Sequence, residues 1–292
     1  MSRDEQDRAV AAVDAVLDFG KQLAQDHQRR MPFSSYDSAE TVVLTLFAAA
    51  HRSGGAAADL LRRRWAEEAQ VLGRPVFEHV VYAHLISYDD RQRRLYVHYG
   101  SSIGRWDEID GFLQVFPDTD QALVAEARSK AQQASIRAVK ALDQVRGDTD
   151  EARRADIATL TEDSEALYAR LNKAYPRHQR GRVRGWCSKN LYDVTRAVDA
   201  KRGSSTFLTI YRLLYANASR AVHSDPSTVG LVRADDPATL SMGPDPTMTV
   251  PTAAAVGQLL LGIDELVNDI FQLGLDDALV DAVAAFEASL SP

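Results

Sequence analysis

The chain has 292 residues, a length that gives one large domain or two small ones. Hydrophobic residues make up 45% and charged residues 26%, which excludes a disordered or fibrous chain. With 34 basic against 41 acidic side chains the net charge is −7, so a protein-wide basic footprint for nucleic acid is absent.

In chain order, Ala9, Val13, Val16, Leu17 and Leu23 fall mostly three or four apart and predict a first amphipathic helix. Asp37 or Ser38 is placed to cap a second, from Ala39 to about His51, which Ser53-Gly54-Gly55 is expected to stop. A third segment runs from Ala56 to about Tyr88, kinked or divided at Gly73-Arg74-Pro75. A fourth, polar and aromatic, spans about Arg91 to Trp106. Residues 120–174 read as an antiparallel helix pair turning at Gly147-Asp148-Thr149-Asp150, a protruding helical hairpin. A basic connector, Arg177 to Gly185, precedes helices at about Trp186 to Lys201 and Thr206 to Val222, with Ser204 or Ser205 as the expected cap of the latter. Residues 224–251 hold five of the 10 prolines and read as a long loop. Two helices, about Thr252 to Leu273 and Asp276 to Leu290, end the chain. The expectation is an all-α fold: one multi-helix bundle of about eight to ten helices over residues 1–292, with the hairpin and the proline-rich loop as its departures.

The first eight residues hold no apolar run, and a membrane helix needs roughly 20 apolar residues, more than the stretches 41–50 and 76–86 provide. No membrane partner is expected, and a cytoplasmic location is. The single cysteine, Cys187, rules out an internal disulfide and a cysteine-built zinc site; it reads as a small apolar side chain rather than a reactive thiol. Glu-x-x-His, His-Glu-x-x-His, Walker A and Gly-x-Gly-x-x-Gly patterns are all missing, so no metal site and no cofactor is predicted. Arg-x4–6-His, the spacing of HEPN-type helical ribonucleases, occurs at Arg74–His79, Arg91–His98 and Arg93–His98, against roughly two occurrences expected from composition.

Two polar stripes on apolar helices carry the functional expectation. Arg74, Glu78 and Tyr82 stand at steps of four, so on a helix they share a face amid Val76, Phe77, Val80 and Val81. Tyr211, Tyr215, Ser219 and His223 repeat that spacing on a second apolar segment, ending in a titratable imidazole beside Asp225. The structural alternative is that an Arg–Glu pair and tyrosines only hold two helices in register. The functional one is a polar site between the helices, with Arg74, Glu78, Tyr82, Tyr215, Ser219 and His223 binding an unknown small molecule or protein partner. His223, Arg74 and Glu78 are the candidate catalytic residues. Arg177, Arg180, Arg182 and Arg184 form a local patch for phosphate or RNA. A homodimer built on the 120–174 arm is a further expectation.

The Arg-x3-Glu of Arg74 to Glu78, followed by Tyr-x3-Ser-x3-His from Tyr215 to His223, resembles a bacterial all-helical domain family of unknown function over about residues 38–225. That resemblance implies no established activity. At fold level it is similar to HEPN-type domains, which include ribonucleases and partners of toxin or phage-defence systems.

Overall fold

The computed structural model describes residues 2–30, 38–145, 187, 190–215 and 247–291, and among these every regular element is helical. The chain groups into two compact units, residues 1–85 with 191–292 and residues 86–190.

The first unit begins with α1 (Arg3–Arg30) and α2 (Ala39–Arg62). Ser38 caps α2 by accepting from the Thr41 N–H at 3.2 Å. The expected stop at Gly54-Gly55 does not occur, and α2 runs through both glycines. Gly54 serves packing instead: a Cβ there would lie 3.0 Å from Leu260 Cδ1. The helix ends ten residues later on Arg64, which takes a left-handed φ of 66°. The Trp65 N–H then returns to the Leu60 carbonyl (2.9 Å) and the Arg64 N–H to Leu61 (2.9 Å), the double closure usually made around glycine. A non-glycine residue in this conformation costs about 1 kcal/mol. The Arg64 guanidinium is tied to Gln6 and Asp7 of α1, which offsets that cost.

α3 (Ala66–Tyr88) then runs unbroken through Pro75, so the predicted division at Gly73-Arg74-Pro75 is also absent. α7 (Leu191–Arg202) and α8 (Thr206–Ile210) follow in this unit. Ser205 occupies the expected N-cap position of α8 without a side-chain cap bond, and Ser204 Oγ accepts from the Thr206 N–H at 3.4 Å. The buried Asp199 of α7 accepts from the Phe207 and Leu208 N–H groups at 3.2 and 2.8 Å, doing an N-cap's work from six residues upstream. α8 passes directly into one π-turn, Tyr211–Tyr215.

α9 (Thr249–Phe271) is the centre of the unit, packed by α1, α2 and α10 (Asp276–Leu290). It starts inside the segment assigned to the proline-rich loop, because Pro251 sits in the first turn, where a missing N–H costs no helical bond. It is long and apolar enough to cross a membrane by length and composition, which neither 41–50 nor 76–86 is, yet most of it is buried in the fold. Its faces are notched: a Cβ on Gly257 would meet Phe286 Cε2 at 2.2 Å, and one on Gly262 would meet the Phe207 ring at 3.3 Å.

The second unit holds α4 (Asp90–Ser101), α5 (Ile103–Val115) and α6 (Gln121–Val145). The predicted helix over Arg91 to Trp106 is thus two helices meeting at Ser102. Trp106 Nε1 donates to the buried Ser135 Oγ at 3.0 Å, and Ile109 and Leu113 pack with Ala131 and Ala127. Trp106 at the start of α5 meets Ser135 well along α6, while only residues 116–120 join the other ends, so the two helices are antiparallel. Of the expected 120–174 hairpin, α6 is seen as a helix and residues 146–174 lie outside the described residues.

Candidate functional site

Arg74 and Glu78 pair along α3 as their spacing predicts, with Nε donating to Oε1 at 3.2 Å. Their side chains are 30% and 32% exposed, so the pair is lodged at the surface of the apolar helix rather than within it. The π-turn packs across this ridge. Gly73 makes the approach possible, since a Cβ there would lie 2.8 Å from Leu214 Cδ2. Tyr215 is thereby set under Arg74, whose guanidinium carbon is 4.9 Å from the ring centroid.

The described parts of the two stripes therefore meet. The Tyr215 phenol is close enough to the Glu78 carboxylate and the Arg74 guanidinium for both to shift its pKa. Burial raises the Tyr215 pKa, Glu78 raises it further, and Arg74 opposes both. Burial works against the Arg74 charge, but the bond to Glu78 and the nearby phenol outweigh it and hold the guanidinium above its ordinary pKa. Tyr211 stacks on Tyr215 at 5.1 Å and 19°, and Tyr192 of α7 meets Tyr211 edge-on at 5.5 Å. Phe77 supports both Tyr211 and Tyr215 from α3, at 5.8 and 5.7 Å.

Tyr82 lies half-buried one turn beyond Glu78 on α3. His79 borders the pair with a buried Nδ1 that has no partner among the described residues. Burial lowers its pKa, Glu78 opposes this, and Arg52 adds to it. Ser219 and His223 lie outside the described residues, as do Arg177, Arg180, Arg182 and Arg184.

The family model described as a family of unknown function (DUF5677) matches residues 40–238. The chain belongs to that family. The span matched by DUF5677 carries both stripes, including Arg74, Glu78 and Tyr215. No curated protein and no solved structure matches this DUF5677 chain.

Two groups escaped the sequence reading. Tyr192 joins the tyrosine cluster from a different helix, and no local spacing announces it. His51 Nε2 lies 2.7 Å from Asp264 Oδ1, joining α2 to α9 across 213 residues. Asp264 is wholly buried, its Oδ2 has no partner among the described residues, and burial raises its pKa against the opposing pull of His51. The imidazole rests directly over Gly20 of α1, where a Cβ would sit 2.0 Å from Cε1. The available signals were an acid, Asp264, following the apolar run Leu259 to Ile263, and a glycine inside α1. Among the described residues no group of three or more His, Cys, Asp or Glu side chains is placed to hold a metal ion.

Proposed function

We propose that this protein is a ligand-binding domain whose polar site is built from Arg74, Glu78, Tyr82 and Tyr215, with Ser219 and His223 continuing the second stripe. The observation that supports it is the Arg74–Glu78–Tyr215 cluster, in which a phenol from a distant segment packs against an ion pair that stays about one-third exposed. A pair serving packing alone gains little from this exposure, because exposed pairs are worth about 0–1 kcal/mol. The π-turn carrying Tyr215 adds support, since such turns are frequent at functional sites. A small molecule with a flat ring and an anionic group suits a guanidinium backed by tyrosines.

Calorimetric titration with adenosine 5′-monophosphate and with inorganic phosphate tests this. Saturable binding of at least one probe is expected, lost in Arg74→Ala and kept in Arg196→Ala, an exposed arginine on α7. Equal binding by wild type and Arg74→Ala overturns the reading.

A second reading is a HEPN-like, metal-independent ribonuclease of a toxin or phage-defence system. It is favoured by the placement of Arg74 on Tyr215, eight residues before His223 in the same predicted stripe. His223 is then the general acid/base, and Arg74 or Arg220 stabilises the phosphorane-like charge. Incubation of wild type and His223→Ala with total RNA decides it. Cleavage by wild type that the variant lacks supports it, and no cleavage by wild type removes it.

A further inference from the structure

The second unit carries a surface that the ligand reading leaves unused. Phe112, Val115, Phe116 and Leu123 are 50%, 68%, 55% and 61% exposed, and all four cluster where α5 turns into α6. Phe112 and Leu123 line a groove of about 510 Å³ between the two helices, floored by Ile109, Leu113 and Val124, and Phe116 packs on Phe112 at its edge. Concentrated apolar exposure of this kind marks an interaction face, whereas scattered single residues do not. Phe112 and Phe116 pack on each other at 4.9 Å, so the ridge that projects is ordered by its own contacts.

The charges along the groove say what fits it. Arg105 and Glu108 lie on the α5 wall, Glu126 and Lys130 on the α6 wall, and each wall pairs its own two charges, so the rim is neutral. A neutral rim gives no attraction to a polyanion or to a strongly basic partner. The Trp106–Ser135 bond fixes the antiparallel register, and Ile109, Leu113, Ala127 and Ala131 share the same apolar cluster. Continuing it, Glu108 lies within three residues of the level of Lys130, about 4.5 Å along the axis, and Phe116 lies within two residues of the level of Leu123. Turning the face over about an axis along the groove exchanges the α5 and α6 walls at constant level. Glu108 then meets the partner's Lys130, Phe116 meets the partner's Leu123, and both contacts occur twice. An isologous interface requires this kind of self-match, with projecting ridge and receiving groove on one patch.

We propose that a second copy of this chain occupies the α5–α6 groove, forming a two-fold dimer in which each α5 packs on the other's α6. The contact is independent of the Arg74 site.

Sedimentation equilibrium of the full chain up to about 100 μM tests it. Wild type is expected to dimerise. Phe116→Glu, at an exposed position, is expected to raise the dissociation constant at least tenfold with an unchanged helical circular dichroism spectrum. Glu108→Lys is expected to weaken the dimer, and Glu108→Lys combined with Lys130→Glu to restore it, because the swap recreates the pair across the interface. Leu213→Glu, at an exposed apolar position of the first unit, is expected to leave it unchanged. A chain monomeric throughout this range overturns the proposal. So does a dimer indifferent to Phe116→Glu, or one that the double reversal fails to restore.

Discussion

His84 gives the most direct test of the packing around α9. Its Nε2 is 3.1 Å from the Gly262 carbonyl, so that nitrogen carries the proton and donates. Arg202 Nη1 approaches the same atom at 3.5 Å, and Phe207 covers the ring at 5.2 Å. Burial lowers the imidazole pKa from 6.5 to about 3, the Arg202 charge lowers it further, and the carbonyl bond opposes them. Below 6.5 the unfolded chain binds a proton that the folded chain excludes. The stability from neutral His84 is therefore complete above 6.5 and drains away as pH falls towards 3. One pKa unit is worth about 1.4 kcal/mol, so the loss between about pH 7.5 and pH 5 is about 2 kcal/mol. Urea unfolding of wild type and His84→Gln at both pH values isolates it, because glutamine keeps a donor for Gly262 and does not titrate. The variant is expected to lose about 2 kcal/mol less than wild type over that interval. Equal losses in the two proteins would refute the assignment of a buried neutral imidazole.

Three further outcomes follow from contacts of the same kind. Gly20→Ala pushes the His51 ring off its seat and strips Asp264 of its partner, so a loss of about 3 kcal/mol in urea unfolding is expected, while Gly55→Ala, with nothing within 4 Å, changes stability by about 1 kcal/mol or less. Asp199→Ala leaves the buried Phe207 N–H and the half-buried Leu208 N–H of α8 without this acceptor and is expected to cost about 1–2 kcal/mol, part of which Asp199→Asn recovers. Arg74→Ala is expected to cost about 1 kcal/mol or less by the same measurement, as suits a one-third exposed pair; a loss above about 3 kcal/mol would make the residue a structural anchor instead.

The helical class was legible because the 3.6-residue period survives in nearly every segment, and the Arg74–Glu78 pair because it spans only four residues. The boundaries misread are those where local chemistry served a distant partner. Gly54 looks like punctuation, but its missing side chain makes room for Leu260. The true end of α2 is at Arg64, a residue with no turn preference, held there by Gln6 and Asp7. Pro251 reads as loop until its place in a first helical turn is known. The carboxylate that accepts from the Phe207 and Leu208 N–H groups of α8 sits on the preceding helix, outside the window in which caps are sought. The Tyr215 contact and the His51–Asp264 pair depend on tertiary approach, which no spacing within one helix encodes.

The notched faces of α9 bear on how this sequence can change. Gly257, Gly262 and Asp264 each receive a specific ring, from Phe286, Phe207 and His51 respectively. One residue added to or removed from a helix rotates everything beyond it by about 100°. Such an event between 257 and 262 would turn two of the three receptors away from their occupants while leaving composition and hydropathy almost untouched. Length variation among kindred chains should therefore fall in the connecting segments, and the spacing from the first notch to the buried acid should stay fixed even where the surrounding leucines and valines exchange freely.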